Sequence, residues 1–157
     1  MSDTVGTIDR EAALALDFAP VRTIVERGRL TFFARATGQT DPIWTDVEAA
    51  RAAGYRDLPV PPTFFFSLEL ERPAPFGYLD QLGVDIGRIL HGGQRFRHHA
   101  TVYAGDELVL QTRIVDVSVR KGGALEILVK GTDVLRGDEL VAEATATIVV
   151  RNPGASS

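Results

Sequence analysis

The chain has 157 residues, 45% apolar and 24% charged, the balance of one globular domain with its own core and too short for a second full domain. Lys and Arg number 17 against 21 Asp and Glu, a net charge of -4, so no global basic field exists to attract nucleic acid or anionic lipid. With no cysteine, disulfide scaffolds, thiolate metal sites and thiol nucleophiles are excluded.

Residues 1–9 have neither a basic start nor an apolar signal core, which makes the cytoplasm the expected compartment. Residues 8–19 carry a short apolar stripe that Pro20 ends, so 1–20 reads as an N-terminal arm with at most a short helix. Brief alternation at Val21, Thr23 and Val25 predicts a strand. Leu30, Phe33, Ala34 and Thr37 then share one helical face over residues 26–37, and Gly38 stops that helix. Asp46 is placed to N-cap a second helix ended by Gly54. Pro62 can open a further helix spanning about 62–71, which Pro73 and Pro75 close. Phe64, Phe65, Phe66, Leu68 and Leu70 make it apolar over most of its circumference, so burial on several sides is expected. No apolar run approaches the roughly 20 residues of a membrane span, and the run at 60–66 is broken by prolines.

Beyond Gly87 the chain turns β-branched. Residues 88–102, 107–120, 124–134 and 139–151 read as four strands, with hairpin signals at 104–106, 121–123 and 136–138 that imply a consecutive antiparallel meander. On the last strand the even positions Leu140 to Val150 form an apolar row with three alanines at its centre. Small residues let a bulky neighbour approach, which predicts a sheet curled around the phenylalanine-rich helix. The fold class is α+β, with 21–151 as one domain and 152–157 as a disordered tail.

The standard phosphate loops, zinc-protease signature and serine elbow are absent. His98 and His99 are neighbours on a predicted strand and so point to opposite faces, poor geometry for a metal; no metal and no cofactor are expected. The loop from Gly38 to Trp44, between two helices and stiffened by Pro42, is the most informative segment. It resembles the loop of the MaoC-like hydratases and dehydratases of the hotdog fold, in which an antiparallel sheet wraps a central helix. Active members carry Gly-Asp-x-Asn-Pro-aliphatic-His, whose Asp and His handle the water added to, or lost to form, a 2-enoyl thioester. Here Gly38, Pro42 and Ile43 match and Asp41 holds the Asn position, but Gln39 stands for the aspartate and Trp44 for the histidine. Glutamine takes no proton at neutral pH and indole only donates one, so neither is a general base.

Further segments resemble the N-terminal, dehydratase-like branch of that family: Pro61-Pro62-Thr63-Phe64, the stretch from Leu90 through His91, Gly93 and Gln94 to Phe96, and Tyr103-Ala104-Gly105-Asp106. Members of this branch often lack the dyad and associate with a catalytic hotdog domain, as does the non-catalytic subunit of heterodimeric 3-hydroxyacyl carrier-protein dehydratases. The resemblance implies an acyl-thioester-binding protein, taking acyl-CoA or an acyl carrier protein, as homodimer or heterodimer with a catalytic subunit, in an (R)-specific enoyl-CoA hydratase or 3-hydroxyacyl dehydratase. Its substrate-binding residues would be Gly38, Pro42, Ile43, Thr63, Phe64, Gly93 and Gln94, with Phe32, Phe33, Phe65 and Phe66 as candidate walls of an acyl slot. Thr63 and Phe64 would be the backbone donors left beside Pro62. Arg95, Arg97, Arg120 and Lys121 are the candidates for CoA phosphates. Two alternatives stay open. A self-sufficient hydratase would use a relocated acid and base from Asp41, His91 or His98. A hotdog thioesterase would use Glu69 or Glu71, both expected to face solvent.

Overall fold

The computed structural model describes residues 6–154. Five helices precede or interleave with five strands: α1 (Arg10–Leu14), β1 (Val21–Ile24), α2 (Arg27–Ala36), α3 (Val47–Ala52), α4 (Phe65–Glu69), α5 (Gly77–Gln81), β2 (Ile89–His98), β3 (Glu107–Arg120), β4 (Leu125–Arg136) and β5 (Glu139–Arg151). All strand pairs are antiparallel, in the order β1-β3-β4-β5-β2. The local signals act where the sequence puts them. Gly38 takes φ +74 after α2 and Gly54 φ +95 after α3. Asp46 caps α3 by accepting from the N–H groups of Glu48 and Ala49.

The meander is the main correction. β2 does not pair with β3 but crosses to the far edge and lies against β5. The segment 104–106 is no hairpin, because its backbone is bonded elsewhere: the Gly105 N–H donates to Val25 O, the Val25 N–H to Asp106 O and the Ala104 N–H to Leu58 O. Those bonds carry the chain over the end of the sheet toward β1. The remaining two signals are true hairpins, with positive φ at Lys121, Gly122 and Gly123 and at Gly137.

The second correction is α4. The helix is five residues long rather than spanning 62–71, since residues 61–64 form a turn closed by the Phe64 N–H on Pro61 O, and Pro73 and Pro75 forbid continuation. It is also not covered all round: Phe64, Phe65, Leu68 and Glu69 are buried while Phe66 and Leu70 are 38% and 41% exposed. Its buried side joins Leu30, Leu108, Leu110, Val134 and Ala142 in one core cluster. A second cluster closes the other end around Tyr78, Ile114, Leu128, Ile148 and Val150. The arm contributes Ile8 and Ala13 to that cluster. Glu126 on β4, fully buried, gathers both ends of the described chain: it accepts from the Thr7 hydroxyl at 2.6 Å, the Ile8 N–H at 2.9 Å and the Asn152 amide at 2.7 Å. Asn152 is thus built into the fold, and residues 155–157 of the tail lie outside the described residues.

The alanine row behaves as its alternation implies from Ala142 onward, whereas Leu140, beyond a register shift against β4, is 37% exposed. Ala142, Ala144, Ala146, Ile148 and Val150 are buried, and the first three lie opposite His98, Phe96 and Gln94 of β2. A bulge at Gly92 keeps His91 in the same inward phase, opposite Ile148. A Cβ on Gly92 would lie 2.9 Å from Val149 Cγ2 and 3.2 Å from Thr147 O, which is why glycine occupies the bulge.

Candidate functional site

The loop after α2 is rigid because its polar side chains serve its own backbone. Asp41 N-caps a 3₁₀ turn, Pro42–Trp44, by accepting from the Ile43 N–H at 3.0 Å. The Gln39 N–H donates to Ala34 O and the Asp46 N–H to Pro42 O. Gln39 and Asp41 are exposed and Trp44 is half-buried.

The relocated pair is not assembled. Among the described residues no hydrogen bond or ion pair joins Asp41 to a histidine. His91 lies with Nε2 3.3 Å from Gln94 Oε1 and its ring edge-on to Phe66. His98 stacks on Phe96 and tilts over Phe65. His99 pairs through Nε2 with Glu143 at 2.7 Å, and the hydrogen bond from His99 holds the Glu143 carboxyl below its usual range. The residues do include no cluster of three or more His, Asp or Glu able to hold a metal, among those described. No described helix is long and apolar enough to cross a membrane.

The structure does bring the inward row of β2 against α4. Phe66 meets His91, Phe65 meets His98, and Gln94 sits between them on the strand. Gln94 Nε2 is buried and has no partner among the described residues. An unsatisfied buried amide donor is costly. At the start of α4 the expected donors divide: the Phe64 N–H is spent on Pro61 O, whereas the Thr63 N–H donates to nothing described. A five-residue helix adds little dipole there. Phe32 is 75% exposed and lines none of the cavities described below, and Phe33 packs edge-on against Phe64 as core.

A slot of about 240 Å³ opens beside α4, walled by Phe66, Leu70, Phe76, Leu90, Ala146 and Ile148. Its polar members are Glu69, Lys130, Tyr78 and His91. Glu69 was expected to face solvent, yet its side chain is 5% exposed and its Oε2 lies 3.0 Å from Lys130 Nζ, itself 15% exposed. The helix is too short to carry Glu69 past the sheet, so the residue points inward. Glu71 instead pairs with Arg29 near the surface. Lys130 Nζ also lies 5.7 Å from the centre of the Tyr78 ring. Burial, then the negative charge of Glu69, pushes the Tyr78 phenol up to about 12, so it stays protonated. A wider cavity of about 510 Å³ lies on the other side of Tyr78, between Phe18, Arg22 and Arg72.

The Glu69–Lys130 pair and Tyr78 escaped the motif reading. A signal existed: Glu126, Leu128, Lys130, Thr132 and Val134 are alternate residues of β4, and Lys130 stands opposite Ala146 in the inward row. A lysine in an inward row needs a partner.

Comparison with known proteins agrees with this architecture. The family model described as "FAS1-like, dehydratase domain region" matches residues 12–144. A UPF0336 protein of Parafrankia is 42% identical over 131 residues, 81% of this chain and 83% of that protein. Among solved structures, a chain of the HadBC (3R-hydroxyacyl-ACP dehydratase) complex of Mycobacterium tuberculosis superposes with TM-score 0.70 and 33% identity, covering 94% of this chain and 98% of that one. A chain of the ChsH1-ChsH2 complex of the same organism has the same fold, with TM-score 0.74, 24% identity and coverage of 93% and 95%.

Proposed function

The chain belongs to the FAS1-like dehydratase region family and has the hotdog fold of the MaoC-like dehydratases, and from that premise we propose that it is the substrate-holding subunit of a two-chain hydratase or dehydratase acting on acyl thioesters. The observation that carries the reading is the combination of an apolar slot beside α4 with a loop that lacks a proton-handling pair. By resemblance to the family loop, Gln39 and Trp44 stand at the two dyad positions; Asp41 is engaged as a turn cap, and each histidine has a neighbour other than a carboxylate of that loop. General acid and base groups are worth on the order of 10² to 10⁴ in rate each, so a chain without them binds far better than it turns over.

The missing pair comes, on this reading, from a second hotdog chain carrying Asp and His. β2 is the edge on which it would dock: ten residues long, bonded on one side only, with Leu90 half exposed and the Gln94 donor unpaired beside it. The HadBC complex, to one chain of which this chain is similar, is a (3R)-hydroxyacyl-ACP dehydratase complex, which supports a hotdog partner. Gln94, Thr63 and the rim of the Gly38–Ile43 loop would then contact the thioester, and the alkyl part would enter the slot.

The test uses the purified full chain. Binding of crotonyl-CoA and trans-2-decenoyl-CoA is expected by calorimetry while hydration stays at background. Turnover by the chain alone, lost in Asp41→Ala or His91→Ala, would overturn the reading in favour of a relocated base. One observation favours a second reading, a hotdog thioesterase, because Glu69 on the central helix is buried at a cavity. Its pairing with Lys130 opposes a free base, and acyl-CoA hydrolysis lost in Glu69→Gln would be needed to establish it.

A further inference from the structure

Glu69 and Lys130 have no part in the chemistry proposed above, and an ion pair is an unusual lining for a slot whose remaining walls are mostly apolar. Taking both charges out of water is costly, and a pair that only filled core would be replaced by apolar residues at little or no loss. The pair is also under-used. Lys130 Nζ has three N–H donors, and Glu69 is its only described partner. Tyr78, protonated and on the same cavity, has no described hydrogen bond from its hydroxyl. By contrast, the buried carboxylate of Glu126 is saturated by three donors and lines none of the cavities described above.

We propose that Lys130, held by Glu69, is a specificity-determining residue: the slot selects an acyl group that bears a hydroxyl or keto oxygen remote from its thioester, and that oxygen accepts a hydrogen bond from the Lys130 ammonium. This rests on the acyl-thioester reading and names the substrate class within it. The apolar walls hold the carbon skeleton. An unsubstituted alkyl chain filling the same space would exclude solvent and leave the Lys130 and Tyr78 donors unpaired, a penalty an oxygenated chain avoids. The volume of about 240 Å³ equals roughly eight waters, enough for a tail of that order of atoms.

The experiment compares octanoyl-CoA with its ω-hydroxy and (ω-1)-oxo counterparts by calorimetry on the full chain and on Glu69→Leu/Lys130→Met, a double change that removes both charges together and so keeps the fold. The oxygenated esters are expected to bind at least about tenfold more tightly to the natural chain, and that advantage to vanish in the double variant while octanoyl-CoA tightens. Equal binding of all three esters, or discrimination that survives in the variant, overturns the proposal. If no CoA ester binds, the thioester reading fails on its own account. The slot is then read directly by the Ala146 and Ile148 methyl resonances with cyclohexanone against methylcyclohexane. Preference for the ketone that depends on Lys130 sustains the polar slot, and no preference overturns it.

Discussion

Two of the buried carboxylates do opposite work. Asp106, at the crossover between β2 and β3, accepts from Arg56, from the Tyr103 N–H at 3.0 Å and from Arg136 at 2.8 Å, and no described cavity reaches it. Glu69 has a single partner among the described residues and lines a slot. Every oxygen of the first is used to hold backbone and neighbours in place, so it is part of the scaffold. The second keeps unused hydrogen-bonding capacity at the slot, the property on which the proposed selectivity rests. Glu126 belongs with Asp106, tying residues 7, 8 and 152 to β4. What each buried charge has left over distinguishes the three better than burial does, since all three are buried.

The contrast is broken or sharpened by substitution. The largest effect is expected for Glu126→Ala, which orphans the Thr7 hydroxyl, the Ile8 N–H and the Asn152 amide and should cost about 4 kcal/mol in urea unfolding. Next is Lys130→Met, which strands the Glu69 charge and should cost about 3 kcal/mol, whereas adding Glu69→Leu restores most of it. Full restoration would confirm that this pair, unlike Glu126, is dispensable for folding. Acid gives a third comparison. Burial alone pushes both Asp106 and Glu126 up, but hydrogen bonds outweigh it: Arg56, the Tyr103 N–H and Arg136 on one, Asn152, Thr7 and the Ile8 N–H on the other, so both lie below their usual range in the folded chain. Their contribution is therefore complete above the unfolded carboxylate range near about pH 4 and is lost as pH falls through the folded values. Urea midpoints measured from pH 7 to pH 3 should hold and then fall, and the fall should be shallower in Glu126→Gln. The smallest effect on stability is expected at the loop, where Asp41→Ala removes one cap and should cost about 1 kcal/mol.

How much of this was visible beforehand depends on the range of the interaction. Gly38, Asp46, Gly54 and Gly137 act within a few residues, and each ends, caps or turns the chain as its type requires. The β5 alternation was equally local in origin, and it placed Ala142, Ala144 and Ala146 inward. Gly105 and Asp106 misled because turn chemistry is shared by hairpins and crossovers, and only the distant acceptor Val25 O separates them. Glu69 misled because its position late in a helix predicts exposure only for a helix with solvent at its end.

The order of residues alone thus determined the α+β class, the strand content and the caps, because those depend on residue chemistry and short-range periodicity. Tertiary structure decided that β2 lies beside β5, that α4 shrinks to five residues and that Glu69 meets Lys130 across 61 positions of sequence. Such pairings are set by which surfaces can be buried together, a property of the packed whole that no local window contains.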